Sequence, residues 1–184
     1  RVSMQKSFTN DADFLKSLDM VSVVKGFDKF NIPRVAQLSQ RSNQFNLRTV
    51  RYTDAEIFAI EKNDNYVTFS FTLKDKFGDN GLICVIILNK KNTETLFVDT
   101  WFMSCRVLKR GMENFALNTI VEWAKINGFK KIVGEYLPTA KNAMVEQHYP
   151  NLGFTKIEGG ETMQYVLDVN SYKPFECYIK RIIE

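Results

Sequence analysis

Apolar and polar residues change period along this chain, and each change marks an element. From Tyr66, the residues Val67, Phe69, Phe71 and Leu73 alternate with Thr68, Ser70, Thr72 and Lys74, the period of a strand with one wet face. Leu82 to Leu88 is apolar at every position, as in a strand covered on both sides. Gly78-Asp79-Asn80-Gly81 predicts the hairpin between them. Leu96, Val98, Thr100 and Phe102 alternate with Phe97, Trp101 and Met103 in a third, aromatic-rich strand. The spacing then turns helical, with Phe115, Leu117, Ile120, Val121, Trp123, Ala124 and Ile126 recurring up to a stop at Gly128. Lys131 to Tyr136, 162 to 169 and 175 to 182 read as strands and Thr139 to His148 as a helix, and Cys84 and Cys177, within apolar strands, read as core residues.

Ahead of Tyr66 the elements are shorter. Phe8 to Leu18 predicts a helix with a polar start at Thr9 or Asn10, and Asp19 to Lys25 a strand. Pro33 suits the first turn of a helix whose apolar side takes Val35, Leu38 and Phe45. Its other side is rich in amides: Gln37, Gln40, Asn43, Gln44 and Asn46, with Arg34, Arg41 and Arg48 among them. Such a set can hold a hydroxylated or phosphorylated small molecule, and it is also the pattern of a solvated helix face. Thr53 caps a helix to Glu61, with Glu56 in the capping-box place. Helices alternate with strands and neither a linker nor a repeat interrupts them, which predicts one mixed α/β domain over residues 1 to 184.

Composition narrows the classes. At 184 residues and 45% apolar content the chain is long enough to bury a core. The longest apolar run lies within 81 to 88, far short of the roughly 20 residues that span a bilayer. The expectation is a cytoplasmic protein without membrane contact. Three cysteines without paired spacing and one histidine predict neither a disulfide framework nor a metal site. A formal net charge of +4 without a recognisable module argues against nucleic acid as a partner.

The chemistry concentrates in Ser104-Cys105-Arg106-Val107-Leu108-Lys109-Arg110-Gly111, between the third strand and the long helix. Unpaired N–H groups at a helix start, its positive dipole end and three cations make an anion site, and phosphate is the natural occupant.

The order of elements resembles the GNAT acyltransferase fold, a central mixed, mostly antiparallel sheet flanked by helices. NAMVEQHYPNLGF at 142 to 154 is similar to the GNAT pattern N-x-x-A…Y-x-x-x-G-F, with Asn142, Tyr149, Gly153 and Phe154 in place. The pyrophosphate turn Q/R-x-x-G-x-G/A is met less well, because Leu108 stands where Q/R is expected and Glu113 where the second small residue belongs. A narrower resemblance runs from about Leu15 to Phe154, through RVAQLSQRSNQFNLRTVRYTDAEI, FGDNGLICVIIL, VDTWFMSCRVLKRGMENFAL and GEYLPTAKNAMVEQHYPNLGF. These are similar to the C-terminal half of FkbH-like proteins. That family implies capture of the glyceryl group of 1,3-bisphosphoglycerate, dephosphorylation by a HAD phosphatase domain in cis or trans, and transfer to an acyl carrier protein for methoxymalonyl-carrier biosynthesis. The D-x-D-x-T motif of the phosphatase half is absent from this sequence.

The resemblance implies roles for particular residues. Arg106, Lys109 or Arg110, with amides near Gly111, would meet the phosphate of a carrier-bound phosphopantetheine or of coenzyme A. The arm would run between the strands at 95 to 104 and 131 to 136, with Asn142 bonding an arm amide. Backbone N–H groups at Met103 and Ser104 would polarise the acyl carbonyl. Cys105 would carry the glyceryl group. A thiol of pKa about 8.5 is roughly 3% thiolate at pH 7, and a pKa near 7 beside Arg106 and a helix start would raise that to about half. Tyr149 would return a proton to the leaving thiolate, and His148 would pair with Cys105 if turned inward. Gln37, Arg41, Asn43, Gln44 and Asn46 would hold the acyl group, and Asp99 would orient Arg106 or a substrate hydroxyl. Two other readings fit the same residues: an acetyl-coenzyme A-dependent N-acetyltransferase, and a non-catalytic module that docks a carrier protein.

Overall fold

The computed structural model describes residues 11 to 183. Its first helix, α1, is Asp11–Ser17, so the expected caps at Thr9 and Asn10 fall outside the described residues. There follow β1 (Met20–Lys25), α2 (Ile32–Arg41) and α3 (Asp54–Lys62). The strands β2 (Tyr66–Asp75), β3 (Gly78–Lys90) and β4 (Thr95–Met103) lead to the long helix α4 (Met112–Ile126) and to β5 (Lys131–Tyr136). A one-turn α5 (His148–Asn151) and the strands β6 (Thr155–Lys156), β7 (Met163–Asp168) and β8 (Ile179–Ile182) complete the described chain.

One eight-stranded sheet carries the fold, in the order β6-β7-β5-β4-β3-β2-β1-β8. Among the described residues, only the β4–β5 and β1–β8 pairs are parallel. The apolar period of β3 explains the layering. Cys84, Ile86 and Leu88 face a core shared with α4 and with Phe14 of α1, while Val85 and Ile87 face a second core under α2 and α3. A strand that must satisfy both faces reads as a continuous apolar run. The capping box of α3 forms as expected, Thr53 accepting from the Glu56 amide and Glu56 from the Thr53 amide.

Several expectations shift. The β2–β3 hairpin turns three residues early, at Lys76 and Phe77 rather than Asp79 and Asn80; Asp75 pairs with Gly78, so Gly78 to Gly81 lie in β3, and register shifts fall between Phe71 and Lys74. The helix beginning at Pro33 stops at Arg41, so Phe45 is buried from a loop rather than from a helix face. Residues 139 to 148 form a 3₁₀ turn at Ala143–Val145 and then α5 rather than one helix. Cys177 is half-buried ahead of β8 rather than within it, and Ile126 is 76% exposed at the end of α4.

Candidate functional site

Strands β4 and β5 pair only through Thr95–Phe97 and Lys131–Val133 and then part, opening a wedge on the side where β4 ends. The loop after α2 enters that wedge. Arg51 holds the loop in place by donating through Nη1 to the carbonyls of Ser39 and Gln40 in the last turn of α2 and of Ser42, its C-cap. Asn46 accepts from the Thr49 amide and Ser39 Oγ from the Tyr52 amide, closing the turn back to α3.

Inside the wedge, Phe45 to Leu47 act as a short extra strand. The Leu47 amide donates to Trp101 O at 3.2 Å and the Met103 amide to Phe45 O at 3.0 Å, around a bridge between Asn46 and Phe102. On the β5 side the Leu137 amide donates to Leu47 O at 2.9 Å. Asn142 Nδ2 donates to Asn46 O and Leu137 O, and its Oδ1 accepts from the Thr139 amide. Next to this strand, Arg48 bridges β4 and β5. Its Nε donates to Glu135 at 2.9 Å and its Nη1 to Asp99 O at 2.8 Å. Tyr52 and Thr100 donate to Asp99, and Thr162 and Gln164 to Glu135. Burial acts to raise the Glu135 carboxyl, but hydrogen bonds from Thr162, Gln164 and Arg48 outweigh it and hold the group below the usual carboxylate range.

The donors expected for an acyl carbonyl are therefore in use. The Met103 amide serves Phe45 O, and the Ser104 amide serves Ile83 O at 2.7 Å. Asn142 is fully buried and its amide knots the 42–48 loop to the end of β5, so it has no free donor for an arm. Asp99 orients Arg48 rather than Arg106.

The cationic turn divides as well. Arg110 is buried and pairs with the fully buried Asp75 at 2.6 Å, which takes it out of any phosphate site. Arg106 is exposed and bonds Ser104 Oγ and Asn80 O. Lys109 is exposed in the left-handed region at φ 64°, and Gly111 at φ 83° starts α4 without a side-chain cap. Glu113, in the first turn, is half-buried, with its Oε1 turned out of solvent. Burial pushes its carboxyl up, and its Oε1 has no partner.

An open groove of about 530 Å³ adjoins the wedge at Phe45 and Met103. Arg41, Asn43 and Gln44 line it from the loop, Met103, Ser104 and Cys105 from the end of β4, and Lys141 from beyond β5. Cys105 is exposed and its thiol donates to Gln44 Oε1 at 3.4 Å. The groove gathers Cys105 with three of the amide-rich stretch: Arg41, Asn43 and Gln44. Gln37 instead bonds Arg34 away from it, and Asn46 is buried in the wedge.

Tyr149 and His148 do not reach this groove. Tyr149 is 1% exposed with its ring against Gly134, where an added Cβ would lie 2.3 Å from the ring. Burial pushes its phenol up, and the phenol oxygen has no partner. His148 is wedged edge-on between Trp101 and Phe45, and burial pushes its imidazole down to about 3. With Glu113 it borders a separate cavity of about 170 Å³. Both side chains are buried, so in this arrangement Tyr149 does not face the groove as the expected proton donor to a leaving thiolate, and His148 does not pair with Cys105. Among the described residues, no group of three or more His, Cys, Asp or Glu is placed to hold a metal ion, and no helix is long and apolar enough to cross a membrane.

Compared with family models and with curated proteins, the sequence matches none. The structure is similar to many solved ones. The GNAT domain of S. lividans PAT superposes with a TM-score of 0.62 at 15% identity, over 79% of this chain and 89% of that one. An N-acetyltransferase from Staphylococcus aureus Mu50 gives 0.58 at 14%, over 82% and 99%. Spermidine N-acetyltransferase from Vibrio cholerae, in complex with CoA and spermine, gives 0.58 at 12%, over 83% and 96%. The chain has the GNAT-like acyltransferase fold. Its mixed, mostly antiparallel sheet, flanked by helices, is the one these structures share.

Proposed function

We propose that the protein is an acyltransferase whose transfer step takes place in the groove at the end of β4, with Cys105 as nucleophile. The observation that supports the reading is an exposed thiol in a groove that Arg41 and Lys141 also line, with Gln44 as its hydrogen-bond acceptor, on a GNAT-like fold. The Cys105 sulfur attacks an activated acyl carbonyl, a C–S bond forms, and the leaving group departs with its electron pair while the thiol proton passes to water. Arg41 and Lys141 favour an anionic leaving group or an anionic acyl chain.

In its finer form the acyl group is glyceryl, activated as 1,3-bisphosphoglycerate, with a HAD phosphatase as partner and the phosphopantetheine thiol of an acyl carrier protein as final acceptor. The resemblance at 15 to 154 supports this form. A second reading, acetyl-coenzyme A-dependent N-acetylation, is supported by the names of the structural neighbours, one of which holds CoA and a polyamine. Intact-protein mass spectrometry separates them. Incubation with 1,3-bisphosphoglycerate and a HAD partner should leave a glyceryl-sized adduct on the parent and none on Cys105→Ala. A parent that stays unmodified, yet turns over acetyl-coenzyme A with an amine, would replace the first reading with the second.

A further inference from the structure

The wedge between β4 and β5 is where the GNAT resemblance would send a pantetheine arm, and in this chain it already has an occupant. Phe45 to Leu47 take Trp101 O and the Met103 amide on β4, and the Leu137 amide beyond β5. A pantetheine arm binds through its two amides and its thioester carbonyl, groups that need backbone donors and acceptors of this kind. Leu47 is fully buried and Phe45 is 5% exposed, so the segment belongs to the core rather than resting on the surface. Asn142 ties it from one side and Arg48, bonded to Asp99 and Glu135, from the other. The residues present do not fit an arm in the wedge.

We propose that Phe45 to Arg48 are a built-in strand that closes the wedge to a pantetheine arm, so that any thioester this chain handles meets Cys105 from the outer groove. The closure stands on the hydrogen bonds and burial alone; the route to Cys105 rests on the acyl-transfer reading. Arg41, Gln44 and Lys141 then take the part that β4 amides would otherwise play, and specificity moves from the shape of a cleft to the charge of an open groove.

Residue-resolved amide exchange on the full chain tests this, with coenzyme A and with phosphopantetheine as separate probes. The Leu47, Met103 and Leu137 amides should exchange slowly and be unchanged by either probe, while at least one probe protects amides at 43 to 44 or 104 to 106. Arg48→Gln, with Arg48→Lys as a milder variant, should speed exchange at Leu47 but leave the affinity for coenzyme A within about twofold. Faster exchange at Leu47 or Met103 on adding a probe, or a roughly tenfold tightening of coenzyme A in Arg48→Gln, would mean that the segment is a displaceable gate and would overturn the closure. Protection at Met103 without any at 43 to 44 or 104 to 106, or no footprint from either probe, would overturn the outer route. If Cys105 also fails to take an acyl group, the acyl-transfer reading falls separately, and the behaviour of the three wedge amides still decides the closure.

Discussion

Asn142 holds three backbone segments with one side chain, donating to Asn46 O and Leu137 O and accepting from the Thr139 amide. In Asn142→Ala the buried Asn46 carbonyl and the part-buried Leu137 carbonyl lose this donor, at about 1–3 kcal/mol for each one left unmet, while the amide of exposed Thr139 can turn to water, so a loss of about 2–4 kcal/mol is expected. Urea denaturation reads it, and a loss below about 1 kcal/mol would mean that the loop is not held by this amide. His148 makes a second residue-scale prediction. Its folded pKa, near 3, lies below the ordinary value of 6.5, so the unfolded chain binds a proton that the folded chain refuses between those limits. Stability is therefore fully present above about pH 6.5 and falls as pH drops toward 3, by about 2 kcal/mol between pH 6.5 and 5 from this group. The raised carboxyl of Glu113, which borders the same cavity, works in the opposite direction, gaining its proton in the folded state first as pH falls. Since His148 is the one histidine in the sequence, His148→Gln should flatten the acid limb by about one proton, seen as the difference between two urea series.

At the scale of elements, a buried ion pair anchors the turn before α4. Arg110 and Asp75 join that turn to the end of β2 with almost no exposure. Removing one partner from such a pair costs about 3–5 kcal/mol, whereas an exposed cation contributes within about 0.5. Arg110→Met should therefore destabilise far more than Arg106→Met, and equal losses in thermal unfolding would contradict the assignment. The neighbouring strands show what the sequence made legible. The alternating runs that became β2 and β4, the continuous apolar run of β3 and the helical run of α4 are local patterns, set by which faces each residue must bury. The filling of the wedge was not local. Arg48 meets Glu135 from 87 residues away, and in the sequence it looks like one more cation in an amide-rich stretch. The 139–148 segment has helical spacing, but Asn142 bonds across to Asn46 and Leu137, which breaks it into turns. Gly134 was the available signal for the place of Tyr149, because a glycine inside a strand marks a close approach and here a ring lies over it.

Across the whole molecule 25 Lys and Arg outweigh 21 Asp and Glu for a formal charge of +4, and two of the cations, Arg41 and Lys141, border the groove that exposes Cys105. In water a pair of unit charges about 8 Å apart contributes about 0.5 kcal/mol before screening, so a dianion approaching the thiol gains from both. Reversing both side chains, Arg41→Glu with Lys141→Glu, brings the formal charge from +4 to zero and turns that attraction into repulsion. The reaction of Cys105 with a dianionic aromatic disulfide should then slow about tenfold at low salt, equivalent to about 1.4 kcal/mol, while alkylation by neutral iodoacetamide changes less than about twofold. The contrast between the reagents separates charge from access, since a collapsed groove would slow both. Raising the salt to about 1 M shortens the screening length from about 10 Å to about 3 Å, and the difference between parent and variant should shrink with it. A salt-independent loss would instead point to a direct contact, and equal rates with the dianion would remove the electrostatic argument for an anionic substrate in this groove.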